Sequence, residues 1–131
     1  ERIAMYIQNK NSVFDIMWND KITYGQVHHR DEVQFSKYNF EVANVDMYKQ
    51  VFGSYEAEVD KCLAAGIVLP AYDFVLKASH AFNILDARGA ISVTERTTYI
   101  KRVRDLAKKC AEAYIELRKS LEHPLVSGAN R

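Results

Sequence analysis

Cysteine, proline and tryptophan are scarce in this chain: two, two and one among 131 residues. Cys62 and Cys110 are far apart and neither belongs to a Cys-x-x-Cys pair, which excludes the usual spacing of a zinc or redox site. Two reduced thiols on helix core faces of a soluble intracellular protein are the favoured reading; one structural disulfide is the alternative. No apolar run is long enough to span a bilayer, and no signal-peptide pattern is present. Neither sign of charge dominates. The formal net charge is +1, so composition alone gives no reason to expect nucleic-acid binding. Internal repeats and low-complexity segments are missing. The four histidines, His28, His29, His80 and His123, have no His-x-x-x-His or comparable ligand spacing, so no metal site is expected. Adjacent His28 and His29 read as exposed residues of a polar loop.

What is present is a core-forming composition, 48% apolar, on a length that supports one domain. The first residues, Glu1 to Lys10, have Ile3, Tyr6 and Ile7 at helical spacing and predict a short helix. It breaks at Asn9–Ser12, where Ser12 is a natural cap for a turn through Phe14, Met17 and Trp18. Ile22, Tyr24 and Val27 around Gly25 suggest a short extended piece, and Asp31 to Phe40 another helical turn. From Val45 the pattern sharpens. Tyr48, Val51, Phe52, Tyr55, Val59, Cys62 and Leu63 form a 3.6-residue stripe that stops at Gly66.

A second helix then carries Pro70 in its first turn, where proline is tolerated, and stops at Gly89. Ser92-Val-Thr-Glu95 matches a capping box and opens what should be the longest helix. Tyr99, Ile100, Val103, Leu106, Ala107, Cys110, Tyr114, Leu117 and Leu121 make up its buried stripe, and His123-Pro124 ends it. Residues 125–131 read as a frayed tail. Short connections between these three helices imply antiparallel neighbours on a shared core, with the Pro70 helix, apolar nearly all round, at the centre. The expected fold is mainly α, an antiparallel helical bundle. The expected division is 1–12, a connecting segment over 13–45, a helical domain over 46–123 and a tail over 124–131.

Ser79, His80 and Asp86 invite a hydrolase triad, but neighbours on a helix diverge by about 100°, so Ser79 and His80 cannot face each other. No Gly-x-Ser-x-Gly turn is present either. His80, Asn83 and Asp86 recur at threefold spacing and, with Arg88, suggest a buried polar network that fixes helix packing. A site or subunit contact is the alternative reading. Lys101, Arg102, Arg104, Lys108 and Lys109 form a basic stretch. Lys101 with Asp105 and Lys108 with Glu112 have ion-pair spacing, which favours a solvated face. Contact of Lys101, Arg104, Lys108 and Lys109 with tRNA or an acidic partner is the other reading.

The run from Leu69 to Arg96, followed by Tyr99-Ile-Lys-Arg-Val-Arg-Asp-Leu106, resembles the C-terminal half of the α subunits of bacterial tetrameric glycyl-tRNA synthetases. Glu1-Arg-Ile-Ala-Met-Tyr-Ile-Gln8, Ile22-Thr-Tyr-Gly25 and Tyr38-Asn-Phe-Glu41 fit the same family in the same order. The resemblance implies a cytoplasmic class II glycine–tRNA ligase that activates glycine with ATP and Mg2+ and transfers it to tRNA-Gly. The implied assembly is an α2β2 heterotetramer, so a β subunit and a second α subunit are the expected partners, with no membrane. Glu1-Arg2-Ile3 then resembles the end of class II motif 3. The resemblance makes Arg2 the catalytic arginine on the triphosphate and places Glu1 beside it in the ATP site.

The chain opens on Glu1-Arg2 in mid-element, and the catalytic sheet and the earlier motifs of the family are not in the sequence. The expectation is a piece that is mostly the helical appendage of an α+β catalytic domain, binding no cofactor and inactive alone in ATP–pyrophosphate exchange. A stand-alone helical adaptor without enzymatic activity is the competing reading.

Overall fold

The computed structural model describes residues 1–122 and divides into two compact units, Glu1–Ala43 and the chain from Asn44 onward. In the first unit, α1 spans Arg2–Ile7. Asn9, at φ +53°, turns the chain out of it. Ser12 caps a 3₁₀ turn over Val13–Asp15, its hydroxyl oxygen accepting from the Phe14 N–H at 3.2 Å.

The expected extended piece around Gly25 is instead the first turn of a helix, α2, over Tyr24–Lys37. The reason is a capping box. Thr23 Oγ1 accepts from the Gln26 N–H at 3.2 Å, and Gln26 Oε1 accepts from the Thr23 N–H at 2.9 Å. Two orphan donors are satisfied reciprocally, which outweighs the low helix propensity of Gly25. Glycine is required there: a Cβ would lie 2.8 Å from the Phe14 carbonyl oxygen. Of the extended structure only an isolated antiparallel bridge, Met17 with Thr23, remains. α2 widens into a π turn over Tyr38–Val42, closed by the Ala43 N–H on the Tyr38 carbonyl at 2.8 Å. Ile16 and Ala43 are buried, while Ile3, Tyr6 and Ile7 of α1 stand exposed.

The second unit is a three-helix bundle. α3 (Val45–Ala64) is capped by Asn44, whose side chain accepts from the Met47 N–H. Gly66 at φ +73° ends it, and α4 (Val68–Ala87) follows with Pro70 in its first turn. Gly89 at φ +62° turns the chain into α5 (Val93–Ser120), which opens with the expected Ser92–Glu95 capping box and is the longest helix at 28 residues. Positive φ at Gly66 and Gly89 is cheap only without a Cβ.

α4 packs against both neighbours and buries eight residues, as its apolar composition leads one to expect. Ala71, Ala78 and Ala81 keep its surface shallow enough for Phe52 and Val59 of α3 and Leu106 of α5 to close over it. Cys62 and Cys110 are free thiols in this core, so the disulfide alternative falls. The expected stripe of α5 needs one correction: Tyr114, Leu117 and Leu121 are exposed. α5 has 28 residues against 20 in α4, so it is longer by ~12 Å at 1.5 Å per residue. Its last turns run beyond the start of α4, and there Tyr114, Leu117 and Leu121 stay exposed among the described residues. The proposed stop at His123-Pro124 and the tail over 124–131 lie outside the described residues.

Candidate functional site

Arg2 begins α1 and is exposed. Glu1 is the N-cap residue of that helix, yet its carboxylate makes no capping bond to it. The carboxylate instead accepts from the Tyr24 hydroxyl at 3.1 Å, and Glu32 is a second acceptor for the same hydroxyl at 3.4 Å. Burial, followed by the Glu1 carboxylate, pushes the Tyr24 phenol above its ordinary value, so the hydroxyl keeps its proton.

The Tyr24 ring sits among Trp18 (6.2 Å between centroids), Phe14 (6.3 Å) and His28 (4.9 Å). His28 and His29 are therefore not loop residues. They lie on α2, edge-on to Trp18 and Phe14 respectively, and His28 Nδ1 is 3.4 Å from Asp31. At the other end of α1, Gln8 Oε1 accepts from the Met17 N–H at 2.7 Å and Gln8 Nε2 donates to the Met17 carbonyl at 3.2 Å. Sequence reasoning missed Tyr24 and Gln8. The Thr-x-x-Gln box before α2 was the available signal for the first; the second had none.

The expected buried network on α4 does not form. His80 and Asn83 are exposed, and no polar or charged residue is buried among the described residues. Asp73, Lys77, His80 and Asn83 share one exposed strip of α4. Asp86, half-buried, reaches across to α5, where both its oxygens accept from Arg96 Nε at 3.1 Å. Arg88, two residues on, is half-buried at the C-cap of α4. Ser79 is half-buried and His80 exposed.

The basic stretch of α5 is largely neutralised by acids. Lys101 pairs with Asp105 at 2.6 Å and Lys108 with Glu112 at 3.7 Å on the same helix. Lys109 crosses to Asp60 of α3 at 2.8 Å. Hydrogen bonding to Asp60 raises the Lys109 pKa above its ordinary value. Arg102 crosses to Glu56, its Nε donating to Oε1 at 2.9 Å and its Nη2 to Oε2. Its guanidinium lies 4.5 Å from the Phe52 ring and 5.1 Å from that of Tyr99. Arg104 is exposed and forms no ion pair among the described residues.

Between the start of α4 and the second half of α5 is an apolar groove of about 320 Å³, lined by Val68, Leu69, Tyr72, Ala107, Cys110, Ala111 and Tyr114. Burial pushes the Cys110 thiol up, so this residue contributes an inert apolar surface. No helix among the described residues is long and apolar enough to cross a membrane.

The family model described as "Glycyl-tRNA synthetase alpha subunit" matches residues 1–119, across both units. The class is thus an aminoacyl-tRNA synthetase subunit. Within that class, the chain belongs to the glycyl-tRNA synthetase alpha subunit family.

Proposed function

We propose that the chain is part of a cytoplasmic, ATP-dependent glycine–tRNA ligase, to which it brings a nucleotide-contacting arginine and a helical module for subunit contact. The observation that carries the ligase reading is the family match over residues 1–119; it also speaks against a stand-alone adaptor. In the reaction, a carboxylate oxygen of glycine attacks the α-phosphorus of ATP in line. The bond to the bridging oxygen breaks, pyrophosphate leaves, and glycyl adenylate forms. A terminal hydroxyl of tRNA-Gly then takes the glycyl group and AMP departs.

Arg2 meets the triphosphate oxygens in this reading, beside Glu1. A guanidinium offers a planar fork of donors and holds its charge at any working pH, which suits phosphate oxygens. Mg2+ arrives with the nucleotide. Among the described residues no group of three His, Cys, Asp or Glu could hold a metal ion, so no step through Mg2+ is assigned to this chain. Pyrophosphate departure demands positioned charge more than covalent chemistry, and one arginine is only part of that. Alone, the chain is inactive in this reading.

The helical module docks on the β subunit of an α2β2 assembly that contains a second α subunit. The apolar groove framed by Leu69, Tyr72 and Tyr114 supports docking, because apolar surface of this kind is the usual anchor of a protein contact. The test is a Leu69→Glu/Tyr114→Glu double variant in the assembled subunits, followed by sedimentation velocity. Association with β should weaken by at least ~10-fold while far-UV circular dichroism stays unchanged. Undiminished association would move the docking surface off this groove.

A further inference from the structure

A helix as short as α1 does not hold itself in water, because its first turn fixes about six dihedrals for a single hydrogen bond. Over Arg2–Ile7 no residue is fully buried and only Ala4 and Met5 are half-buried, so polar tethers help to place α1. Two are visible. The C-terminal tether is the two-way exchange of Gln8 with the Met17 backbone. The N-terminal tether is the Tyr24 hydroxyl on Glu1.

The second tether is itself anchored. The Tyr24 backbone N–H donates to the Ile16 carbonyl at 2.7 Å, and three aromatic neighbours hold the ring. The phenol is therefore a fixed point, and the start of α1 follows it. The Glu1 carboxylate makes this contact and no capping bond to α1. The residue tethered in this way is the immediate neighbour of Arg2.

We propose that Tyr24 is a positioning residue for nucleotide binding, its hydroxyl holding Glu1 and so the turn of α1 from which Arg2 extends. The inference rests on the reading of Arg2 as the triphosphate contact. Removing the hydroxyl leaves the ring and its aromatic packing in place, so the turn loosens without loss of fold. A guanidinium that must be ordered as the ligand binds gives less affinity than one already in place. In that reading Arg2 contacts the triphosphate and not glycine, so the KM for glycine serves as the internal control.

The test is ATP–pyrophosphate exchange by the complete α subunit in its assembly with β, comparing Tyr24→Phe, Glu1→Ala, their double variant and Arg2→Ala. Tyr24→Phe should raise the KM for ATP about tenfold and leave the KM for glycine and the Tm unchanged. In the Glu1→Ala background, where no side-chain oxygen is left to accept from the phenol, it should add nothing further, since both changes cut the same tether. An unchanged KM for ATP in Tyr24→Phe, with Arg2→Ala impaired, overturns the positioning role and leaves the Arg2 reading standing. So does an equal rise in the KM for glycine or a fall in Tm, either of which marks a general structural role. Wild-type ATP kinetics in Arg2→Ala overturn the Arg2 reading, and the role of Tyr24 with it.

Discussion

Arg102 looks from the sequence like one more cation in a basic stretch, yet it ties α5 to α3. Its stem and guanidinium cover Phe52 and Tyr99 while its fork binds Glu56. Arginine suits this place because a planar, weakly hydrated cation can lie on rings and still donate in its own plane. Arg102→Ala removes packing, a cation–π contact and a charge-assisted pair together, and should cost about 2 kcal/mol in urea denaturation. Arg102→Lys keeps the charge but loses the fork and the stack, and should recover less than half of that. At this scale the sequence hides what matters, because Arg102 and Glu56 are 46 positions apart and nothing local joins them. Tyr24 and Glu1 were hidden for the same reason. His80 and Asn83 fail in the opposite direction: their spacing marked one strip of α4 correctly, but not whether that strip faced neighbours or water.

Elements are legible where their ends carry chemistry. Gly66, Pro70, Gly89 and the Ser92–Glu95 box each mark a boundary that the structure keeps, because a turn needing positive φ and a helix start needing caps restrict residue choice locally. The start of α2 was misread because Ile22, Tyr24 and Val27 around Gly25 resemble a short extended run. The actual role of Gly25, clearing the Phe14 carbonyl, is a tertiary contact. The same logic of ends gives α5 a pH dependence. Hydrogen bonds from the Ser92 backbone and side chain hold the Glu95 carboxyl below the usual carboxylate range. A carboxyl lowered in the folded state stabilises it above the unfolded-state pKa, and that contribution disappears as pH falls through the folded-state value. Urea midpoints measured from pH 7 down to pH 3 should therefore fall more steeply for the wild type than for Glu95→Gln. The glutamine oxygen still accepts from Ser92 but has no proton to gain.

For the whole molecule, charge decides less than its bare count suggests. The basic stretch of α5 resembles a nucleic-acid footprint only until Asp60, Asp105 and Glu112 are placed beside it. Each lysine is then half of a neutral pair, and little remains to release counterions from a phosphate backbone. Lys108→Ala/Lys109→Ala in the assembled synthetase should leave tRNA-Gly affinity within about twofold of wild type, with an unchanged salt slope, in filter binding. A uniform drop and a shallower slope would assign the helix to tRNA instead. The bundle itself was readable because three strong stripes with short joins permit few packings; the overhang of α5 was not, because length mismatch shows only after assembly. One consequence of the core concerns redox history. Cys62 is 8% exposed and Cys110, on the wall of the apolar groove, 3%, and burial holds the Cys110 thiol above its ordinary pKa. Thiols so nearly covered meet oxidant slowly while the bundle is folded. A disulfide-linked or sulfenylated chain is accordingly expected to record past opening of the bundle more than a signal received by the folded protein.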